Sequence, residues 1–479
     1  MRKSFTILAI TFFIMIMSMG VILAEHKVDE DISGIWLGTI KAPGVPERIL
    51  YLRIIQNADG SLVSKLGSPD RGSADILANK TEFNDGKIFC EIQSIGAFNG
   101  GLNDKGKLVG EFKIPSMSLT AIPITMERTN NIPQISRSQD PKPPFSYKEE
   151  EVTYQNKAGG VMLTGTLTLP QGEGPFPTVI LITGSGAQDR NETVAGHHPF
   201  WVLADYLARR GIAVLRVDDR GVGGSTGNVD LSTSADFCGD VLAGVEFLKS
   251  RTEVNAKQIG LIGHSEGGMI APMVAIRSTD IAYIALLAGP GQTSDELLLL
   301  QTALCGKASG GQDADIVRTQ SMMRKAFVIL KQETDVTVIQ NKFQELAVNI
   351  YNDLSNYEKK MIVSPKTIEA SLKPFSTPWF HFFINYDPKS TLKAVTCPVL
   401  AMNGEKDLQV PPKENLGAIQ TALTEGGNKD FTIKEIPNLN HAFQNCRTGS
   451  PSEYATIQET IAPSVLQTIG DWIIKQTTT

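Results

Sequence analysis

Apolar and polar positions alternate in three distinct textures along the chain. From about residue 30 to 128 the apolar residues come in short strand-like runs: Ile35-Trp36-Leu37-Gly38, Arg48 to Gln56, Ile88 to Ile92 and Lys107 to Lys113. Between them lie Asn57-Ala58-Asp59-Gly60, Asn84-Asp85-Gly86 and Asn103-Asp104-Lys105-Gly106, whose side chains and freedom at positive φ favour tight turns. This pattern predicts a small antiparallel barrel or sandwich. Trp36 reads as part of its core, and no catalytic constellation is visible in it.

A Pro-rich stretch, residues 129–148, reads as a linker. The texture then changes to strand alternating with helix. Pro177 to Ile182 is the unbroken apolar run of a strand buried on both faces. Phe200 to Arg210 has helical spacing, Gly211 to Val217 is a strand, Ala235 to Arg251 a helix, Gln258 to Ile262 a strand, Gly267 to Arg277 a helix and Ile281 to Leu287 a strand. This repetition predicts a parallel sheet covered by helices on both faces. Between about 293 and 390 amphipathic helices follow one another: Asp295 to Gly306, Ala314 to Lys331, Thr337 to Leu354 and Lys366 to Leu372. Strands return at Pro398 to Met402 and Phe431 to Ile436, and a helix at Val465 to Lys475 closes the pattern. The expected organisation is an N-terminal segment 1–24, a β-rich domain 25–128, the linker, an α/β core in two parts (149–292 and 391–479), and a helical insertion 293–390 between the parts.

The first segment joins Arg2 and Lys3 to an apolar stretch from Phe5 to Ala24, the layout of an export signal. Cleavage is expected near Gly20 or Ala24, and an uncleaved anchor is the rival reading. No later apolar run is long enough to span a bilayer, so the mature chain is expected outside the cytoplasm without stable membrane insertion. With 45 basic and 51 acidic residues the net charge is −6, and no basic tract suggests a nucleic-acid partner. The five cysteines are widely spaced without a CxxC pair, which argues against a disulfide scaffold or a structural zinc site. The sequence sets no oligomeric state.

The chemistry concentrates at Gly263-His264-Ser265-Glu266-Gly267, a G-x-S-x-G pattern between a strand and a helix. The sharp turn lifts the serine hydroxyl clear of the sheet, and side chains at either glycine would strike neighbouring backbone. Serine needs a base and a group that orients the base. Two histidines follow it. His381 lies inside the helical insertion and reads as a packing residue, whereas His441 follows the strand 431–436, where a base must stand. The orienting acid should follow the preceding strand, which selects Asp407 over its neighbour Glu405. Oxyanion donors are expected from the backbone N–H of Glu266 and from the loop after Ile182, at Ser185 or Gly186.

Four motifs in this order resemble those of the α/β-hydrolase superfamily, over about residues 150–475. Gly184-Ser185-Gly186-Ala187-Gln188-Asp189-Arg190-Asn191-Glu192 is similar to the G-S-G-x-Q-D-R-[DN]-E segment of a group of bacterial carboxylesterases. Arg216 to Gly227 matches R-x-D-x-R-G-x-G-x-S-x-G, Asn403-Gly404-Glu405-Lys406-Asp407 resembles the acid loop, and Asn440-His441-Ala442-Phe443 the histidine loop. The resemblance implies a triad of Ser265, Asp407 and His441 on an α/β-hydrolase fold, a mostly parallel sheet flanked by helices. It also implies a helical cap insertion and a separate N-terminal all-β domain. Thr183-Gly184 stands where many members carry His-Gly, which leaves the second oxyanion donor open.

The expected activity is hydrolysis of a small-molecule ester of short to medium acyl chain through an acyl-serine, without metal or cofactor. A serine peptidase, a thioester or lipid-ester hydrolase, and a non-catalytic binding protein on the same scaffold are the alternatives. Trp379, Phe380, Phe382, Phe383 and Tyr386 are expected either to line an acyl pocket or to pack the cap on the sheet. His197-His198 is expected as an exposed loop pair, with a place at the site's edge as the alternative. Gln188, Asp189 and Arg190 are expected to form a structural hydrogen-bond network, with substrate contact as the alternative.

Overall fold

A computed structural model describes residues 31–42, 45–57, 59–68, 73–92, 96–113, 121–132, 137–355, 359 and 364–478. The expected export signal, 1–24, lies outside them. The chain divides into two compact units that part near residue 133.

The first unit is all β. Its strands are β1 (Gly34–Ala42), β2 (Val45–Gln56), β3 (Leu62–Ser68), β4 (Ser73–Leu77), β5 (Lys80–Asn84), β6 (Lys87–Ile92), β7 (Gly96–Leu102), β8 (Leu108–Lys113) and β9 (Ile122–Thr129). They form one antiparallel sheet in the order β4-β3-β2-β1-β9-β8-β7-β6-β5. The sheet curls until β3 meets β5: the Ser64 N–H donates to Thr81 Oγ1 at 3.1 Å and the two hydroxyls lie 2.7 Å apart. Trp36, Leu52, Phe98, Phe112 and Met126 fill the inside. Trp36 is 1% exposed and donates its indole N–H to the Ile32 carbonyl, so it is core, as expected. Strands such as β5 and β7 escape the hydrophobic pattern because polar residues and glycines hold positions that only hydrogen-bonded neighbours make extended.

The second unit holds a sheet of eight strands in the order β10-β11-β13-β12-β14-β15-β16-β17. These are Lys148–Asn156, Val161–Leu169, Phe176–Ile182, Ala213–Val217, Val254–His264, Ile281–Leu287, Val399–Gly404 and Phe431–Ile436 for β10 to β17. β10, β11 and β13 pair antiparallel; from β13 through β17 the pairing is parallel. Alternate side chains of the inner strands enter two separate cores. Ile180, Ile182, Leu261, Ile284 and Leu286 pack under α2 (Ser234–Lys249) and α3 (Glu266–Ala275). Val179, Leu181, Ile262, Ala285 and Leu287 pack under α1 (Pro199–Ala208) and α11 (Pro463–Thr477). Each buried aliphatic side chain contributes about 1.5–3 kcal/mol, so the period-two pattern stabilises both faces and fixes register. This is the α/β-hydrolase fold that the motifs imply.

Between β15 and β16 the chain builds the cap: α4 (Ser294–Ala308), α5 (Asp313–Gln332), α6 (Val336–Asp353), α7 (Pro365–Leu372) and α8 (Pro378–Asn385). Met323, Phe327, Leu330, Phe343, Leu372 and Phe380 give it a core of its own. α9 (Pro388–Lys393) then leads back to the sheet, and α10 (Pro412–Glu425) follows β16. The sequence pattern does not show α8, α9 and α10; each begins on a proline, as do α1, α7 and α11, which it does show. At the first helical position a missing N–H costs nothing and the fixed φ suits the helix.

Residues 137–148 are bound to the second unit rather than free. Arg137 is 1% exposed and donates to the carbonyls of Ala195, Gly196, Ala455 and Ile457 at 2.8–3.1 Å. Among the described residues no helix is long and apolar enough to cross a membrane.

Candidate active site

β12 and β14 are adjacent, yet their crossovers run to opposite sides of the sheet, which opens a crevice beyond their carboxyl ends. Ser265 stands at that point, between β14 and α3, with φ 52° and ψ −119°. A side chain at Gly263 would come within 2.0 Å of the Gly267 carbonyl oxygen, and one at Gly267 within 2.1 Å of the Ile182 carbonyl oxygen. The turn is therefore possible only with glycine at both positions. The Ser265 N–H is tied to Leu287 O at 2.8 Å, which anchors the strained residue to β15.

Asp407 and His441 meet as the strand order requires. Asp407 Oδ2 lies 2.8 Å from His441 Nδ1, and both residues are buried. The other carboxylate oxygen accepts the N–H groups of Gln409 and Val410, each at 2.8 Å, so the acid is oriented by its own loop. Glu405 faces away and accepts the Asn438 N–H. His381 bonds Glu333 O at 2.9 Å and joins two cap helices.

Across the crevice, the Thr183 hydroxyl donates to Asp219 and the Gly184 N–H donates to Glu192 Oε1 at 2.7 Å. Ser185 and Gly186 follow at the exposed end of the loop. Burial pushes the Asp219 carboxyl up to about 8 against the hydrogen bonds from Thr183 and Gln188, with Glu266 and Glu192 adding to the rise. Gln188, Asp189 and Arg190 form the expected structural network. Asp189 accepts the N–H groups of Asn191 and Thr193, and Arg190 grips Asp218 and Glu151.

Glu266, the residue after Ser265, is buried. Its Oε1 accepts the Ser234 hydroxyl at 2.6 Å and the Trp379 indole N–H at 2.7 Å. Burial raises its carboxyl above the usual range. Trp379 stacks on Phe383, and Phe383 packs with Met269, Leu297 and Val410. That apolar cluster joins the cap to the helix behind Ser265 and to the loop of Asp407. Phe380 does not belong to it. Helical periodicity turns Phe380 and Ile384 into the cap's own core, while Trp379 and Phe383 share the adjacent face and Trp379 borders both clusters. Tyr386 also borders the sheet core and donates its hydroxyl proton to Thr391 Oγ1 at 2.6 Å, and Phe382 packs on the sheet core. Both follow the cap-to-sheet packing alternative.

The exposed reading of His197-His198 is overturned. His197 is 1% exposed: Nε2 donates to Tyr454 O, so Nδ1 accepts from the Thr460 hydroxyl, and burial lowers its pKa to about 4. His198 bonds Asp140. Polar loop residues gave no hint of that burial, because the covering segments come from residues 140 and 454–460.

The motifs also conceal a pair that sequence reasoning missed. Glu192 ends the first motif and His264 precedes the serine, and their side chains meet at 2.8 Å inside the protein. No sequence signal singled the pair out: Glu192 follows Asp189 and Arg190 in an already polar motif, and His264 occupies a variable position of the G-x-S-x-G pattern. Among the described residues no cluster of His, Cys, Asp and Glu could hold a metal.

Residues 159–426 match the X-Pro dipeptidyl-peptidase (S15) family over more than half of the chain. The chain belongs to the S15 family. Family membership makes it one of a group of hydrolases. Esterase EstD of Thermotoga maritima is 26% identical over 336 residues, 69% of either chain. Esterase FrsA of Escherichia coli is 38% identical over a short stretch of 68 residues, 14% of this chain and 15% of that one. Among solved structures, the Pyrococcus furiosus esterase Pf2001 is 16% identical at a TM-score of 0.41, covering 73% of this chain and 97% of its own. The α/β-hydrolase GrgF from Penicillium is 14% identical at 0.43, covering 69% and 100%.

Proposed function

We propose that the chain is an exported serine hydrolase that cleaves small carboxylic esters through an acyl-enzyme on Ser265. The observation that carries this reading is the buried Asp407–His441 hydrogen bond at the carboxyl edge of the sheet that also presents Ser265 on its strained turn. Ser265 Oγ attacks the ester carbonyl and His441 takes its proton. Asp407 holds the imidazole tautomer and stabilises the imidazolium. The N–H of Glu266, with that of Ser185 or Gly186, binds the oxyanion. His441 then protonates the leaving alcohol, and water, deprotonated by the same histidine, releases the acid. The Trp379, Phe383, Met269 and Leu297 cluster supplies an apolar wall for the acyl group. Removal of residues 1–24 on export is part of this proposal, supported by their basic-then-apolar layout.

The likeness to EstD favours ester over amide. The S15 match favours the second reading, a peptidase acting on peptide amides with the same machinery. Hydrolysis of p-nitrophenyl esters from acetate to palmitate, beside aminoacyl and peptide p-nitroanilides, separates the two. Ester turnover peaking at short chains and absent in Ser265→Ala is the expected result. Amide turnover with little ester preference would move the assignment to a peptidase, and no turnover with no fluorophosphonate labelling would remove the serine mechanism.

A further inference from the structure

Glu192 and His264 are joined by more than one contact. Glu192 Oε1 accepts both the Gly184 N–H, at 2.7 Å, and a hydrogen bond from His264 Nδ1, at 2.8 Å. On its other side His264 Nε2 lies 3.0 Å from the backbone carbonyl of His441. A carbonyl can only accept, and Glu192 Oε1 is already an acceptor. With Glu192 ionised, both ring nitrogens of His264 donate, which makes it an imidazolium buried against a carboxylate. Burial alone would lower its pKa; the Glu192 charge and hydrogen bond outweigh burial and raise it to about 9. The other titratable groups that bear on it are Asp407 and the His441 ring, 4.8 Å away between centroids, while the Phe443 ring covers a further side at 6.3 Å.

The geometry also shows what the pair holds. Gly184 opens the loop that carries Ser185 and Gly186, and a side chain at Gly184 would stand 3.2 Å from both Ser265 Cβ and Glu192 Oε1. His264 is covalently next to Ser265, and His441 carries the imidazole bound to Asp407. One carboxylate oxygen and one ring thus connect the loops from the ends of β12, β14 and β17. Glu192 itself, 4% exposed, has φ 52°, a left-handed conformation that a non-glycine residue keeps only where the surroundings enforce it.

We propose that Glu192 and His264 are positioning residues: an internal ion pair that sets the oxyanion loop, the nucleophile and the base in register for the transition state. The inference rests on the Ser265 reading above. Displacing such groups by about 1 Å costs about a hundredfold in rate.

The test uses the full chain and the variants Glu192→Gln, Glu192→Ala and His264→Gln, with rates normalised to folded molecules by the thermal transition. p-Nitrophenyl acetate kinetics, fluorophosphonate labelling rates, and the ¹⁵N signals of the His264 ring in Ser265→Ala at pH 7 are measured together. The expected results are a kcat lowered about 100-fold in Glu192→Ala with KM within about threefold, and labelling slowed in parallel. Partial rescue is expected in Glu192→Gln, which keeps an acceptor for Gly184. Both ring nitrogens of His264 should be protonated. Unchanged kcat per folded molecule in the Glu192 variants, or a neutral His264 ring at pH 7, overturns the proposal; the ring measurement holds even if every variant misfolds. A wild-type protein that fluorophosphonate does not label would instead overturn the serine mechanism itself.

Discussion

The Trp379 indole N–H donates to the carboxylate of Glu266, one residue beyond Ser265, at 2.7 Å. A cap side chain is thereby bonded to the residue whose backbone N–H is proposed to face the oxyanion. Phenylalanine in place of Trp379 keeps a ring to stack on Phe383 but removes the donor from a buried carboxylate. Trp379→Phe should destabilise the fold by about 1–3 kcal/mol. It should also raise KM for longer acyl esters more than for acetate. Denaturant unfolding and a chain-length series check this; an unchanged chain-length profile would detach the cap contact from substrate choice.

The conformation of Ser265 sets a contrast between activity and stability. Ser265→Gly should abolish turnover and fluorophosphonate labelling. Because glycine adopts φ 52° without strain, the variant should nevertheless unfold about 1 kcal/mol harder than the wild type. A variant less stable than wild type would show that the turn is not strained.

Asp407→Asn preserves shape and can still accept from Gln409 and Val410, but it no longer stabilises an imidazolium on His441. The expected loss in kcat is about 10⁴-fold with little change in melting temperature. A loss under tenfold would point to Glu405 or another acid as the partner of the base.

Two buried histidines should give opposite pH slopes. His197, with its pKa lowered to about 4, contributes stability that is present above its unfolded value of about 6.5 and lost as pH falls through about 4. His264, raised to about 9, contributes stability that is present in full below about 6.5 and lost as pH rises through about 9. Urea unfolding at pH 5, 7 and 9.5 should show the weakest fold at the extremes. His197→Gln should flatten only the acid side; an identical acid slope in that variant would rule out His197 as its source.

Arg137→Ala should destabilise the second unit by about 3 kcal/mol, since one buried and three partly buried carbonyls lose their donor at once. Thermal unfolding followed in the hydrolase unit checks this. A shift of under 1 °C would mean that water replaces the guanidinium at no cost.

Much of this was legible in the residues alone. Phe176–Ile182 and Ile281–Leu287 announced themselves because burial on both faces makes each a nearly continuous apolar run, whereas the outermost strand, Phe431–Ile436, is half exposed and carries Lys434 and Glu435. Ser265, Asp407 and His441 could be named because strand order fixes which loop each must occupy, and the Asp407–His441 contact follows from that order. The pairing of Glu192 with His264 was not legible. It joins residues 72 positions apart through side chains that neither periodicity nor spacing constrains. The direction of Phe380 was missed for a different reason: in Pro378–Asn385 apolar residues flank His381 on both sides and occupy nearly every position, so the pattern carries little phase to tell one helix face from the other.

The cap leaves the sheet after one strand and returns before its immediate neighbour, and it folds around aromatic residues that the sheet does not supply. On the proposed function, bond cleavage and acyl recognition therefore draw on segments of chain that can diverge at different rates. A lineage could exchange the insertion and acquire new substrates while the cleaving groups stayed untouched, provided that each replacement again offered a donor to the carboxylate beside the serine.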